Sequence, residues 1–124
     1  MDMAQIIDSI IVDTLENGGA TYRLDGTPET EPVTLVGGAE DFSGTRIAEV
    51  IIPLEDLTPE AMQEAFERIQ RLAPSARFGT WIEDGRVVID ASDAFEDLVT
   101  AVSVARVRGE RAVYTIGVGE TVTA

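Results

Sequence analysis

Four carboxylates, Asp90, Asp93, Glu96 and Asp97, fall within eight residues, just after the only tryptophan, Trp81, and an Asp84-Gly85 pair. Acids at this density suggest two chemistries: coordination of calcium, or a carboxylate pair sharing acid and base work at a glycosidic bond. A calcium loop needs its ligands in the order D-x-[DN]-x-[DN]-G, and this stretch lacks that order. A carboxylate pair carries little information in a chain with 23 acidic side chains, where pairs arise by chance. Helix capping and a solvated face account for the four acids more simply. The glycine runs "GVGE" at 117–120 and "VGG" at 36–38 are too short for a phosphate-binding fingerprint and stand in the wrong strand–helix context.

The missing residue types narrow the chemistry further. The chain has no cysteine, histidine or lysine; all nine basic residues are arginine. That removes thiol nucleophiles, imidazole acid–base chemistry, Schiff-base and P-loop lysines, disulfides, and zinc sites built on sulfur or imidazole. No nucleophile-and-base constellation can be assembled from what remains. The expectation is a non-enzyme with no catalytic residue, no cofactor and no metal. An arginine-only basic set matches a GC-rich coding sequence, although planar bidentate donors would be selected in the same way.

The net charge is −14 and the isoelectric point about 4.1. Direct binding to nucleic acid or to an anionic membrane is disfavoured, because both need Lys and Arg to meet phosphate. Cationic partners and plain solubility remain. The charge is uneven: residues 1–45 hold nine acids and only Arg23, whereas Arg106, Arg108 and Arg111 make the last segment slightly positive. The opening residues carry acids where a signal peptide would be basic, and no apolar run approaches the roughly 20 residues of a spanning helix. A soluble, cytoplasmic protein is expected.

The elements that must position these residues follow from periodicity. With 124 residues, the chain is long enough for one core without staples, so a single domain over 1–124 is expected. Met3, Ile6, Ile7, Ile10, Ile11 and Leu15 form a helical stripe, and Gly18 suits the left-handed position that ends a helix. The β-branched "SIIV" and the "NGG" turn argue for a hairpin instead; helix is the better fit. "ATYRL" and "PVTLV" read as short strands, and "RIAEVIIPL" as a longer one. Thr58, Pro59 and Glu60 start a helix carrying Met62, Ala65, Phe66, Ile69 and Leu72, which Pro74 stops. "ARFGTWIEDGRVVIDA" is a hairpin turning at Asp84-Gly85. A second helix follows, capped by Asp93 with Glu96 or by Ser92, with Phe95, Leu98, Val99, Val102 and Ala105 on one face and Gly109 at its end. "RAVYTIGV" is the last strand. Residues 46–118 therefore read β-α-β-β-α-β, the ferredoxin-like order: an α+β fold with one antiparallel sheet, both helices on one face, and residues 1–45 as a helix/hairpin extension.

Alternation through the hairpin puts Phe78, Thr80, Ile82, Val87, Ile89 and Ala91 under the helices. The opposite face carries Gly79, Trp81, Glu83, Arg86, Val88 and Asp90. That second face is too apolar for open solvent, since strand 47–52 is also apolar on both sides. Something is expected to cover it: the N-terminal extension, a second copy in a homodimer, or a partner protein. Intramolecular cover is the commonest such arrangement. Trp81, Val88, Glu83, Arg86 and Asp90 are the candidate partner-binding residues.

The run "GTWIEDGRVVIDASDAFEDLVTAVSVARVRGERAVYTIGVGETV" resembles the C-terminal half of small accessory proteins from phages of actinobacteria. The shared pattern is an aromatic strand, a D-x-G turn, an aspartate-ended strand, a helix with "AR-x-RGE", then "AVY" and "GET". "NGGATYRLDG" is similar to their N-terminal hairpin, so the likeness covers about Asn17 to Val122. It implies a protein made in the host cytoplasm, with no activity to carry over by residue. Three functions are compatible: a non-enzymatic binder that modulates a host or phage protein, an acidic mimic of nucleic acid that blocks a host enzyme, or a self-associating structural component. The first is the favoured expectation.

Overall fold

The computed structural model, which describes residues 2–116 and 120–123, opens with the expected helix α1, Met3–Asn17. Asp2 caps it: its carboxylate accepts from the Gln5 N–H, and the Gln5 side chain accepts from the Asp2 N–H, so two otherwise orphaned donors are satisfied. Gly18 ends it at φ 80°. Ile6, Ile7 and Ile10 are buried as the stripe requires, but Leu15 is about half exposed. Thr14 takes the buried place instead. Its hydroxyl bonds to the Ile10 carbonyl at 2.7 Å and to the Thr80 hydroxyl at 2.6 Å, so a short polar residue lets α1 sit close to the sheet without an unsatisfied group.

The remaining elements are β1 (Gly19–Arg23), β2 (Thr34–Gly37), β3 (Val50–Pro53), a 3-10 turn (Leu54–Asp56), α2 (Pro59–Leu72), β4 (Arg77–Glu83), β5 (Arg86–Phe95), α3 (Leu98–Arg108), β6 (Ala112–Thr115) and β7 (Glu120–Thr123). The fold is α+β, with three α-helices and one seven-stranded antiparallel sheet among the described residues. Thr58 caps α2 as expected, and Asp84 and Gly85 both take positive φ (51° and 74°), so the hairpin pairs Glu83 with Arg86 in the anticipated register.

Several boundaries depart from the expectation. Strand β3 starts only at Val50, because residues 40–49 leave the sheet edge in a small excursion closed by the Glu40–Arg46 bridge. Strand β5 runs on to Phe95, so neither Ser92 nor Asp93 caps α3; Asp97 does, accepting from the Val99 and Thr100 N–H groups. The last expected strand ends at Thr115, and its expected residues 117–118 lie outside the described residues. β7 was not anticipated.

The length of β5 shapes the sheet. Its first half pairs with β3 and its second half with β2 along the same side, while β4 takes the other side. The order is β1-β4-β5-β2-β6-β7, with β3 beside β5. A ferredoxin-like sheet would place β6 against β3; here β6 pairs with β2. The N-terminal strands are thus built into the sheet rather than added to it: β1 forms a flank, and β2 carries β6 and β7.

Alternation along β5 puts all three helices on one face. Ile6, Ile7, Ile10, Met62, Phe66 and Ile69 pack on Tyr22, Phe78, Val87 and Ile89, with Phe66 and Phe78 edge to face at 5.1 Å. Ala101 and Ala105 of α3 pack on Val36 and Val113 in a smaller cluster. The expected α3 stripe holds in part: Ala105 is buried and Phe95 and Val102 pack against this cluster, whereas Leu98 and Val99 are exposed and Ala101 faces the sheet in their place. Small residues let α3 lie close over β2 and β6. Arg108 fixes that pose by donating to the Val36 and Gly37 carbonyls and to Asp93.

Candidate functional site

Among the described residues no helix covers the other sheet face, and α1 packs on the first one. The expectation that the N-terminal segment would cover it is not met. Cross-strand registers arrange its side chains in rows. The first row is Gly19, Trp81, Val88 and Ile51, across β1, β4, β5 and β3. The second is Thr21, Gly79 and Asp90; the third is Arg23, Arg77, Ser92 and Gly37. The fourth is Ala94, Leu35 and Tyr114.

The apolar rows flank a polar centre. Val88 is 4% exposed because Trp81 and Ile51 stand on either side of it; Trp81 is half-buried and Ile51 50% exposed. Of the five residues singled out in the sequence, Trp81 and Val88 thus lie side by side in one apolar row. Glu83 and Arg86 face each other, exposed, at the hairpin tip. Asp90 is separate from them: it is 8% exposed at the centre of the face.

Asp90 has room there because a glycine, Gly79, stands opposite it on β4 and another, Gly37, stands diagonally from it on β2. A Cβ at Gly79 would lie 2.9 Å from one Asp90 oxygen, and a Cβ at Gly37 would lie 2.5 Å from the other. A glycine inside a strand often marks such a close approach, and this was the signal available in the sequence at Gly79. Around the carboxyl stand Glu49, Glu110 and Arg46, with the Ser92 hydroxyl donating at 3.4 Å. Burial, with the Glu49 and Glu110 charges adding to it, pushes the Asp90 carboxyl up to about 7. Arg46 also donates to Glu110 at 2.7 Å and to the Arg108 carbonyl at 2.7 Å, which ties the 40–49 excursion to the C-terminus of α3. Nothing in the sequence pointed to Glu49, Glu110 and Arg46 as neighbours of Asp90, since they come from two separate connections.

At the β1 flank, Arg23 and Arg77 stand directly opposite each other. Like charges in that position repel, and Glu29 resolves the conflict: its fully buried carboxylate pairs with both guanidiniums. Burial alone would raise Glu29, but the hydrogen bonds from Arg77 and Arg23 outweigh it and hold it below the usual glutamate value. Beside this triad is an open hollow of about 490 Å³ lined by Arg23, Asp25, Gln70 and Arg77 among others. Its arginine donors are largely committed to Glu29 and to the Ser75 carbonyl.

The four acids that opened the sequence argument do not converge. Asp90 lies on the open face, whereas Asp93 pairs with Arg108 at 2.6 Å on the helix side. Glu96 is exposed, and Asp97 caps α3. Among the described residues no group of three or more acids is arranged to hold a metal ion, and neither described hollow includes Asp90. No helix among them is long and apolar enough to cross a membrane. Comparison with family models, with curated proteins and with solved structures gives no match.

Proposed function

We propose that the chain is a non-catalytic protein-recognition module whose contact surface is the open face of the sheet. The observation that carries this reading is the Trp81–Val88–Ile51 row, an apolar strip between the hairpin tip and the polar centre of a sheet face that no helix among the described residues covers. An aromatic side chain flanked by apolar neighbours and rimmed by charged ones is what an interface centre requires. Glu83 and Arg86 supply the rim at the hairpin tip. The partner is a protein of the host or of the phage, following the resemblance in the sequence, and its activity is modulated by the contact.

The alternative of nucleic-acid mimicry needs carboxylates free to stand in for phosphates along one face. Many of the acids are instead engaged locally. Asp25, Asp41 and Asp97 accept from turn and cap groups, while Glu29, Asp93 and Glu110 pair with arginines. Apolar recognition also predicts the opposite salt response, because a steered acidic mimic releases its partner as salt rises.

A pull-down from nuclease-treated lysate, washed with rising salt, tests the reading. We expect a protein retained through high salt by the wild type and lost by Trp81→Ala. Equal retention by both baits, or release of the partner at moderate salt, would overturn it.

A further inference from the structure

We propose that the open sheet face docks on the same face of a second copy of the chain, in a twofold, face-to-face packing of the two sheets. This rests on the reading above that the open face is a contact surface, and it places a second copy there when no other partner is bound.

Charge is the first argument. The molecule carries −14, and this face holds four of its nine arginines: Arg23, Arg46, Arg77 and Arg86 stand among Glu29, Glu49, Glu83, Asp90 and Glu110, with Asp25 and Glu31 beside Arg23. The excess acid lies elsewhere, with Asp2, Asp8, Asp13 and Glu16 on and before α1 and Glu55, Asp56 and Glu60 before and at the start of α2. Two identical acidic chains repel over most of their surface, and the repulsion is weakest where these arginines stand. Under a twofold axis the Glu83–Arg86 pair of one copy also complements the Arg86–Glu83 pair of the other.

Size is the second argument. The seven strands are four to ten residues long; at about 3.3 Å of rise per residue and about 4.8 Å of spacing between strands their face is on the order of 600 Å², approaching the roughly 800 Å² per partner of a stable interface. Aligned sheet packing would bring the two Trp81–Val88–Ile51 rows together about 10 Å apart.

The centre of such an interface contains Asp90, and docking would take its remaining exposure away. The groups facing it are Ser92 on its own strand, Arg46 and Glu49 from the excursion before β3, and Glu110 from the α3–β6 connection; β2 and β4 offer only Gly37 and Gly79. With two carboxylates against one guanidinium, a covered Asp90 is favoured in its protonated form. Association should therefore take up protons and tighten as pH falls through about 7.

Sedimentation equilibrium of the full chain, below and above pH 7 and at low and high salt, tests this. We expect a dimer whose Kd rises about tenfold or more per pH unit near neutrality and falls as salt screens the −14 charge. Asp90→Asn should dimerise equally at both pH values, which separates this group from the general titration of the acids. Trp81→Ser with Ile51→Ser should be monomeric with its circular-dichroism melt retained, since Ile51 is exposed and Trp81 only half-buried. A wild type that is monomeric in every condition, or a dimer indifferent to the Trp81/Ile51 change, would overturn the proposal. If the wild type is monomeric while Trp81→Ala still loses its lysate partner, recognition by this face stands and only the second copy fails.

Discussion

Strands β4 and β5 present two faces made from the same alternating sequence, and the two behave as different materials. Phe78, Val87 and Ile89 lie under α1 and α2, almost inaccessible, in a core with an edge-to-face aromatic pair. On the opposite face Trp81, Val88 and Asp90 have no helix above them among the described residues and are shielded by strand neighbours and, at Asp90, by two connections. Low accessibility therefore means two things in this protein. On the helix side it reflects packing by other elements. On the open side it reflects lateral cover by sheet neighbours and, at Asp90, by Arg46, Glu49 and Glu110 from two connections, with glycines leaving room for the carboxyl.

The comparison breaks most visibly at Phe78. Phe78→Ala should cost about 3–5 kcal/mol by removing one partner of the aromatic pair and leaving a cavity under α2, measured by denaturant unfolding. Asp90 sharpens the contrast through pH. An acid whose folded-state value lies above its ordinary 3.8 holds its proton more tightly when folded, so its contribution is full below about pH 4 and is lost as pH rises to about 7. Asp90→Asn should flatten that decline, a change on the order of 2–4 kcal/mol across the window, and should leave the protein more stable than the wild type at pH 8. A wild-type stability that rises from pH 4 to 7 in step with the variant would remove Asp90 as the cause.

Glu29 has the opposite sign. Its depressed value means that its contribution is present at neutral pH and is lost as the solution is acidified through the carboxylate range. Glu29→Gln should cost about 1–3 kcal/mol at pH 7, because two opposed arginines lose the buried charge between them. The smallest effect should be Ile51→Ser. On an exposed position it should change the stability of the monomer by less than about 1 kcal/mol, and a larger loss by thermal melting would mean that the open face is a core in its own right.

Local chemistry was legible wherever one short stretch carried its own instructions. The Asp84-Gly85 turn, the Thr58-Pro59 helix start and the Gly18 and Gly109 helix ends all require specific backbone angles or donors that only their own residues supply. The inward set of the hairpin followed from period-two alternation. Asp93, by contrast, looked like a cap because an acid before an apolar run fits that role equally well. Its assignment to a strand depended on β2 lying beside it and on Arg108 reaching back to it.

The candidate face divides in the same way. Trp81, Val88, Glu83 and Arg86 could be placed together because they belong to one hairpin with a fixed register. The environment of Asp90 could not, because Arg46 and Glu49 arrive from one connection and Glu110 from another, and no local pattern couples them. Sequence alone determined the composition, the charge, the absence of thiol, imidazole and amine side chains, and the elements whose ends are set by a turn or cap. Tertiary structure decided that β6 joins β2, that α3 turns Ala101 inward in place of Leu98 and Val99, and that a face rich in apolar residues has no helix above it among the described residues. Those outcomes depend on which distant surfaces fit one another, and packing energy is shared among residues far apart in the chain.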